Sequence, residues 1–450
     1  MPVGVKRIHT LSPPGGRSRK SATMHPPERR VALEREAPPE PVNIQDTIEY
    51  SYYERIRPLH TIQDQEPVTF VEVSDSVHAL DLSQSLLKIK LKVVKGDNTI
   101  LTAGQSTSII NFITNTLWSR AEAYLNECKI SDHNMYWASS YMDALLNIPE
   151  VIKEEQLGAA GYFADTNGKF DTRTLADDGN GNAGFISRNG LVKLSTLTTF
   201  CGSLHLDVFK LERLIPAGVK LRLNLFPNPT TFTVMTSETD VPKLVLEDAE
   251  LYLKKVKLTP DSQLRISKAL SLAPAVFPMR KTEVRSHLLA NATTAFNLDN
   301  FLVQEILPHT ITIAFVDTAA VTGDYARNPL LFGKNTLNQF RLIVNNQRIP
   351  AMGDNDIEIF DYLALYGGER GPFRSPPIGL SPNKISAGYY ILQFRIAPST
   401  ASYISEQRSG RVAIEGHFET PLPRGLTMLA FLEYHASMSI DENRQVTRTP

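Results

Sequence analysis

Cysteine and tryptophan are nearly missing from these 450 residues, at two each. No apolar run approaches the roughly 20 residues of a membrane-spanning helix. Cys128 and Cys201 are too few for a disulfide scaffold or a thiolate metal site, so a reducing compartment is the simpler expectation, with both thiols acting as buried small hydrophobes. The first twenty residues, MPVGVKRIHTLSPPGGRSRK, lack the apolar core of a secretory signal, so the chain is expected to stay in the cytosol or nucleus. Also missing are a Walker A loop, a GxSxG elbow, a GxGxxG after a strand, an HExxH and any histidine pair at metal-ligand spacing. With the ten histidines dispersed, the reading is a protein that is not an enzyme, with no catalytic residue, cofactor or metal.

Charge of one sign is also lacking, since 47 Lys/Arg meet 48 Asp/Glu, but the balance hides an asymmetry. Residues 1–35 hold eight Lys/Arg against Glu28 and Glu34, a net +6, and the remaining 39 basic and 46 acidic residues give the rest of the chain −7. The first 45 residues also hold eight prolines, among them Pro13-Pro14, Pro26-Pro27 and Pro38-Pro39, and few large apolar side chains. Such a segment is expected to be a disordered or extended arm, with ordered structure beginning near Asp46. Its Lys6, Arg7, Arg17, Arg19, Lys20, Arg29 and Arg30 are the candidate contacts to nucleic acid or to acidic surfaces of neighbouring subunits. With few aromatics for base stacking, nucleic-acid contact there is expected to be non-specific.

Beyond the arm the dominant pattern has period two, which sends alternate side chains to the buried and solvent faces of a sheet. In SLLKIKLKVV, Leu87, Ile89, Leu91 and Val93 interleave with Lys88, Lys90 and Lys92. The same alternation runs through VKLRLNLF, YYILQFRIA and RVAIEGHF. Further strands are expected at 68–73, 120–125, 202–209, 231–235, 244–256, 284–289, 310–316, 339–349 and 426–440, with Asn345-Asn346 suited to a tight hairpin turn. Helix is scarce. One candidate lies at 139–160, broken or kinked at Pro149, and a short one follows Thr259-Pro260-Asp261. Pro274 and Pro278 read as a linker, with a domain boundary near 272–280. Many short strands split between two halves favour two sandwiches over one large sheet.

The segment 165–184 gathers Asp165, Asp171, Asp177 and Asp178 around glycines but fails the EF-hand template, because Gly168 comes too early and no Glu closes the loop. A long exposed loop is expected there. His205 and His417 fall inside strand patterns, and Asn291-Ala292-Thr293 matches a glycosylation sequon that needs a secretory route to matter.

Landmarks along about residues 68–447 resemble the hexon-like major capsid proteins of the Polinton/Maverick and adintovirus group. In the first half these are LDLSQSLLKIKLKVV, INFITNTLWSRAEAYLNECKIS, YWASSYMDALLNIPEVIKEEQLGAAGYFAD and GSLHLDVFKLERLIPAGVKLRLNL. In the second they are LDNFLVQEILPHTITIAFVDTAAVTGDYARNPLLFGKNTLNQFRLIVNNQRIP, GYYILQFRIAP and GRVAIEGHFETPLPRGLTMLAFLEYHASMSIDENRQV. The basic arm and the 353–388 region depart from the pattern. The resemblance implies an all-β fold of two tandem eight-stranded jelly-roll sandwiches, a double jelly roll with few short helices in loops, divided at 46–272 and 273–450. It further implies a homotrimer forming a pseudo-hexameric capsomer of an icosahedral shell around a DNA genome. Penton and minor capsid proteins would be partners, and packaged DNA is a candidate contact for the basic arm on its charge alone. A lectin-like cellular jelly-roll module, or a domesticated element-derived protein that no longer makes virions, stays open as an alternative.

Overall fold

Alternation in the sequence becomes cross-strand pairing in the computed structural model, which describes residues 47–72, 75–176, 179–349, 362–366, 377–396 and 408–449. The exposed helix Pro260–Leu272 divides the strands into two sets. Before it come β1 (Ile48–Ile56), β2 (Val68–Val71), β3 (His78–Lys95), β4 (Thr107–Ile109), β5 (Trp118–Leu125), β6 (Cys128–Asn134), β7 (Thr198–Ser203), β8 (Leu221–Pro227), β9 (Val234–Thr236) and β10 (Pro242–Leu258). After it come β11 (Ala275–Leu289), β12 (Ala295–Ile306), β13 (Thr310–Asp317), β14 (Leu337–Val344), β15 (Gln347–Ile349), β16 (Ile391–Arg395), β17 (Ser409–Phe418), β18 (Leu426–Ile440) and β19 (Val446–Thr449).

The first set forms antiparallel sheets ordered β1-β10-β3-β7 and β2-β8-β5-β6, with β4 and β9 as a separate short ladder. The second forms β11-β18-β13-β16, to which β19 adds along β18, and β12-β17-β14-β15. With β4, β9 and β19 set aside, each set has eight strands in one order. The first, eighth, third and sixth make one sheet, and the second, seventh, fourth and fifth make the other. That is a jelly roll, formed twice.

The lysines of β3 face outward as their spacing predicts. Lys88, Lys90, Lys92 and Lys95 each meet a carboxylate of the β10 stretch, Glu250, Asp248, Glu247 and Asp240 respectively. Leu87, Ile89, Leu91 and Val93 fill the core beneath them. The middle strands of the sheet β11-β18-β13-β16, β18 and β13, are buried on both faces. Met428, Ala430 and Leu432 of β18 join the core shared with the opposing sheet, whereas Leu429 and Phe431 join the core of the first set. This double burial explains why Thr310–Val316 is an unbroken buried run.

Several expectations need correction. The proposed linker near 272–280 is strand from Ala275 onward, with Pro278 in register with Ser437. Because β11 is an edge strand, paired among the described residues on one side only, a residue without an N–H is tolerated. The expected strand at 202–209 ends at Ser203, and Asp207–Lys210 is a 3₁₀ turn that tucks Val208 and Phe209 into the core. Within 231–235 a helical turn, Thr230–Thr233, precedes β9. Cys128 and Cys201 are half-buried free thiols instead of buried ones.

Candidate functional site: the seam between the two jelly rolls

The arm residues Lys6, Arg7, Arg17, Arg19, Lys20, Arg29 and Arg30 lie outside the described residues. The structure instead concentrates buried charge along the seam where the first roll meets the outer face of β11-β18-β13-β16. Three polar clusters occupy it.

The first is built on β6, the helix Tyr136–Asn147 and the turn Asp207–Lys210. His205 Nδ1 lies 2.5 Å from Asp143 Oδ2, and Lys210 Nζ lies 2.9 Å from Asp143 Oδ1. Burial alone would push the Asp143 carboxyl up, but Lys210 and His205 outweigh it and hold the group well below the usual carboxylate range. Asp207 is likewise held down by His133 against its own desolvation. Its Oδ2 accepts the Thr282 N–H at 3.2 Å, tying this turn to β11. Glu433 and Thr312 face the same space from β18 and β13. His205 therefore sits past the end of β7, buried, and not within a strand, whereas His417 is an exposed residue of β17.

Ser139, His133 and Asp207 align superficially like a nucleophile, base and carboxylate. Ser139 Oγ is 3.1 Å from His133 Nδ1, and His133 Nε2 is 2.9 Å from Asp207 Oδ2. Yet Ser139 Oγ donates to the Tyr136 carbonyl, all three side chains are buried, and the adjoining cavity is only about 20 Å³. That is room for about one water and for no acyl group. The string serves as packing for the seam.

The second cluster is where the acidic loop goes. Asp165 was expected in an exposed loop, but it is buried, with Arg188 Nη2 donating to its Oδ1 at 2.7 Å and both side chains 0% exposed. Asn182 Nδ2 donates to the same oxygen at 2.9 Å, and Asn328 Nδ2 of the second half donates to Oδ2 at 3.1 Å. The remaining Arg188 donors reach the carbonyls of Ile109 and Phe163. Asn182 also caps the helix Ala183–Val192, accepting from the N–H groups of Gly184 and Phe185. Asp171 accepts the Asn328 N–H at 2.7 Å, so a second acidic residue of the segment is also spent on the seam. Asp177 and Asp178 lie outside the described residues.

The third cluster centres on Lys153, whose Nζ donates to the carbonyls of Leu145 at 2.6 Å and Ile378 at 2.9 Å. Desolvation pushes its pKa down to about 7, with Lys384 adding to the shift and Glu150 opposing it. Ten residues after Ile378, Gly388, at φ +139°, lets Phe170 close on the backbone, and a Cβ there would stand 2.3 Å from the ring. Among the described residues no group of three or more His, Cys, Asp or Glu could hold a metal ion, and no helix is long and apolar enough to cross a membrane.

These clamps fix one roll against the other, and the whole corresponds to a known architecture, the double jelly roll. No family model matches the chain, and no curated protein matches it in sequence. Its fold is similar to that of a chain in the cryo-EM structure of the Sputnik virophage, at TM-score 0.63 and 12% identity over 95% of this chain and 93% of that one. It is also similar to the mavirus major capsid protein, at TM-score 0.55 and 10% identity over 96% and 97% of the two chains. The Faustovirus major capsid protein is similar at TM-score 0.55 and 10% identity over 86% and 90%.

Proposed function

We propose that this chain is the major capsid protein of an icosahedral virus shell. One observation carries the reading. The same eight-strand order occurs twice in one chain, in a fold similar over nearly its whole length to proteins whose names are those of capsid subunits. The reading divides the chain into an arm at 1–45, a first jelly roll at 46–272 and a second at 273–450. Three copies would associate into a capsomer of six jelly rolls, with a pseudo-hexagonal outline, and capsomers would tile a shell enclosing a DNA genome.

The polar seam supports this use, because a tile must keep a fixed angle between its halves if its neighbours are to meet in register. In the virion, penton and minor capsid proteins would complete the shell. The basic arm, through Lys6, Arg7, Arg17, Arg19, Lys20, Arg29 and Arg30, would make non-specific contact with packaged DNA or with acidic surfaces of adjacent subunits. Its origin would lie in the Polinton/Maverick and adintovirus group, with assembly in the host cytoplasm or nucleus.

The test is to express the full chain and measure its mass by light scattering during size-exclusion chromatography, followed by electron microscopy of concentrated material. A trimer that goes on to form closed or curved arrays is expected. A chain that stays monomeric at every concentration refutes the reading.

A further inference from the structure

The helix Pro260–Leu272 crosses from β10 to β11 with few contacts to the other described residues. Of its 13 residues only Leu270 is buried, while Leu264 and Leu272 are 69% and 82% exposed and Ile266 also faces out. It is tethered at its first turn, where the Thr259 N–H donates to the Thr47 carbonyl at 3.0 Å and Gln263 Nε2 donates to the carbonyls of Val77 and Leu258. A 13-residue helix standing alone is marginal in water, so something beyond the described residues must support its length.

Next to that turn lies β1, an edge strand that among the described residues pairs only with β10. Its Ile48, Tyr50, Tyr52 and Tyr53 are 39–45% exposed. Such an edge is a ready template for association unless covered. The two features are continuous. Ile48 pairs with Leu258 just ahead of the helix, the Tyr50 hydroxyl lies 3.4 Å from His78 Nε2, and exposed Val77 and Val276 flank the helix ends.

The bare apolar area is that of an interface. Tyr50 and Tyr52, which share one face of β1, contribute about 170 Å² at about 200 Å² per side chain. Ile48, Val77, Leu264, Ile266, Leu272 and Val276, at about 100 Å² each when fully exposed, contribute about 320 Å². A standard complex buries about 800 Å² per partner, of which a little over half, about 450 Å², is apolar. The surrounding charges, Arg55, Lys254, Lys257, Arg265 and Lys268 against Glu49, Glu54 and Asp261, leave this face at +2, whereas the chain beyond residue 35 carries −7. The remainder of another copy is therefore of complementary sign.

We infer that the helix Pro260–Leu272 and the edge of β1 form the surface that seats one copy of this chain against the next, a head-to-tail contact that closes into a ring. The inference rests on the capsomer reading, and the experiment separates the two. Leu264→Asp with Leu272→Asp is made in the full chain, both positions being exposed, and circular dichroism checks the fold. Light scattering across a dilution series should show a wild-type trimer and a variant whose association is weakened at least about 100-fold, the effect of losing two anchoring side chains. Hydrogen exchange on the wild-type trimer should show slowed amides at 262–272.

A wild-type trimer matched by an equally stable variant trimer overturns the surface alone, as do helix amides that exchange freely in the wild-type trimer. A wild-type chain that is monomeric throughout overturns the capsomer reading and this surface with it.

Discussion

Asp165→Ala should be among the most damaging single substitutions in the chain, although it removes only a carboxylate from a segment with the composition of a surface loop. The substitution leaves the Arg188 guanidinium, 0% exposed, with no counter-ion, and it strips an acceptor from Asn182 in the first roll and from Asn328 in the second. Breaking a buried pair from one side costs about 3–5 kcal/mol. Unfolding entropy of about 2.1 cal/mol/K per residue over roughly 400 residues converts this to a fall in Tm of about 4–6 °C. Urea titration followed by tryptophan fluorescence is a suitable assay, because Trp118 and Trp137 are both buried in the first roll and report its unfolding.

Replacing both charges, Asp165→Asn with Arg188→Met, should cost less than the sum of the two single changes, since neither charge is then stranded. A loss below about 1 kcal/mol for Asp165→Ala, or strict additivity in the double variant, would refute the assignment of this pair as a linchpin.

Gly388→Ala should destabilise by about 2–4 kcal/mol in the same titration, because the new methyl meets Phe170 at a backbone angle that already disfavours any other residue. An effect near zero would mean that the loop yields. Lys153 has its folded pKa lowered to about 7, so the unfolded chain binds more protons between pH 7 and about 10.4, and stability contributed at this site rises with pH across that window. Lys153→Met should flatten that slope in urea titrations at several pH values, and parallel curves for the two proteins would rule it out. Asp143 is depressed, so its contribution is fully present above the unfolded carboxylate value of about 3.9 and is lost as the pH falls below it. Asp143→Asn should be the less stable protein at pH 7, with the gap closing towards pH 2, and a constant gap would contradict the ion-pair account.

What was legible in the sequence was whatever depends on near neighbours. The alternation of Lys88, Lys90 and Lys92 places β3 correctly, Pro149 caps the helix Glu150–Glu155 that follows the break, and Pro260 starts its helix. Asn345 and Asn346 adopt φ of 50° and 67° in the β14–β15 turn. The strand β1 could not be read by alternation, because an edge strand exposed along most of its length has no buried face to mark. In β12 the register shifts between Leu298 and Leu302, which breaks the period.

The seam was illegible for a different reason. The partners of Asp165 lie 23 residues away at Arg188 and 163 residues away at Asn328, and local composition cannot distinguish a carboxylate facing water from one facing a buried guanidinium. Pro278 misled because proline is evidence against a strand only when both of its edges are paired.

In each roll the eighth strand, β10 or β18, lies between the first and the third. On the ribosome β1 and β3 must therefore wait for β10, and β11 and β13 for β18, before either sheet has a middle. Long-range closure of this kind is slow, and it leaves open strand edges exposed to other nascent chains in the meantime. A polypeptide that stops short of Leu426 would have two halves of a sheet with nothing to join them. Translation thus acts as a proofreading step, since only a chain read nearly to its end can close both of these sheets.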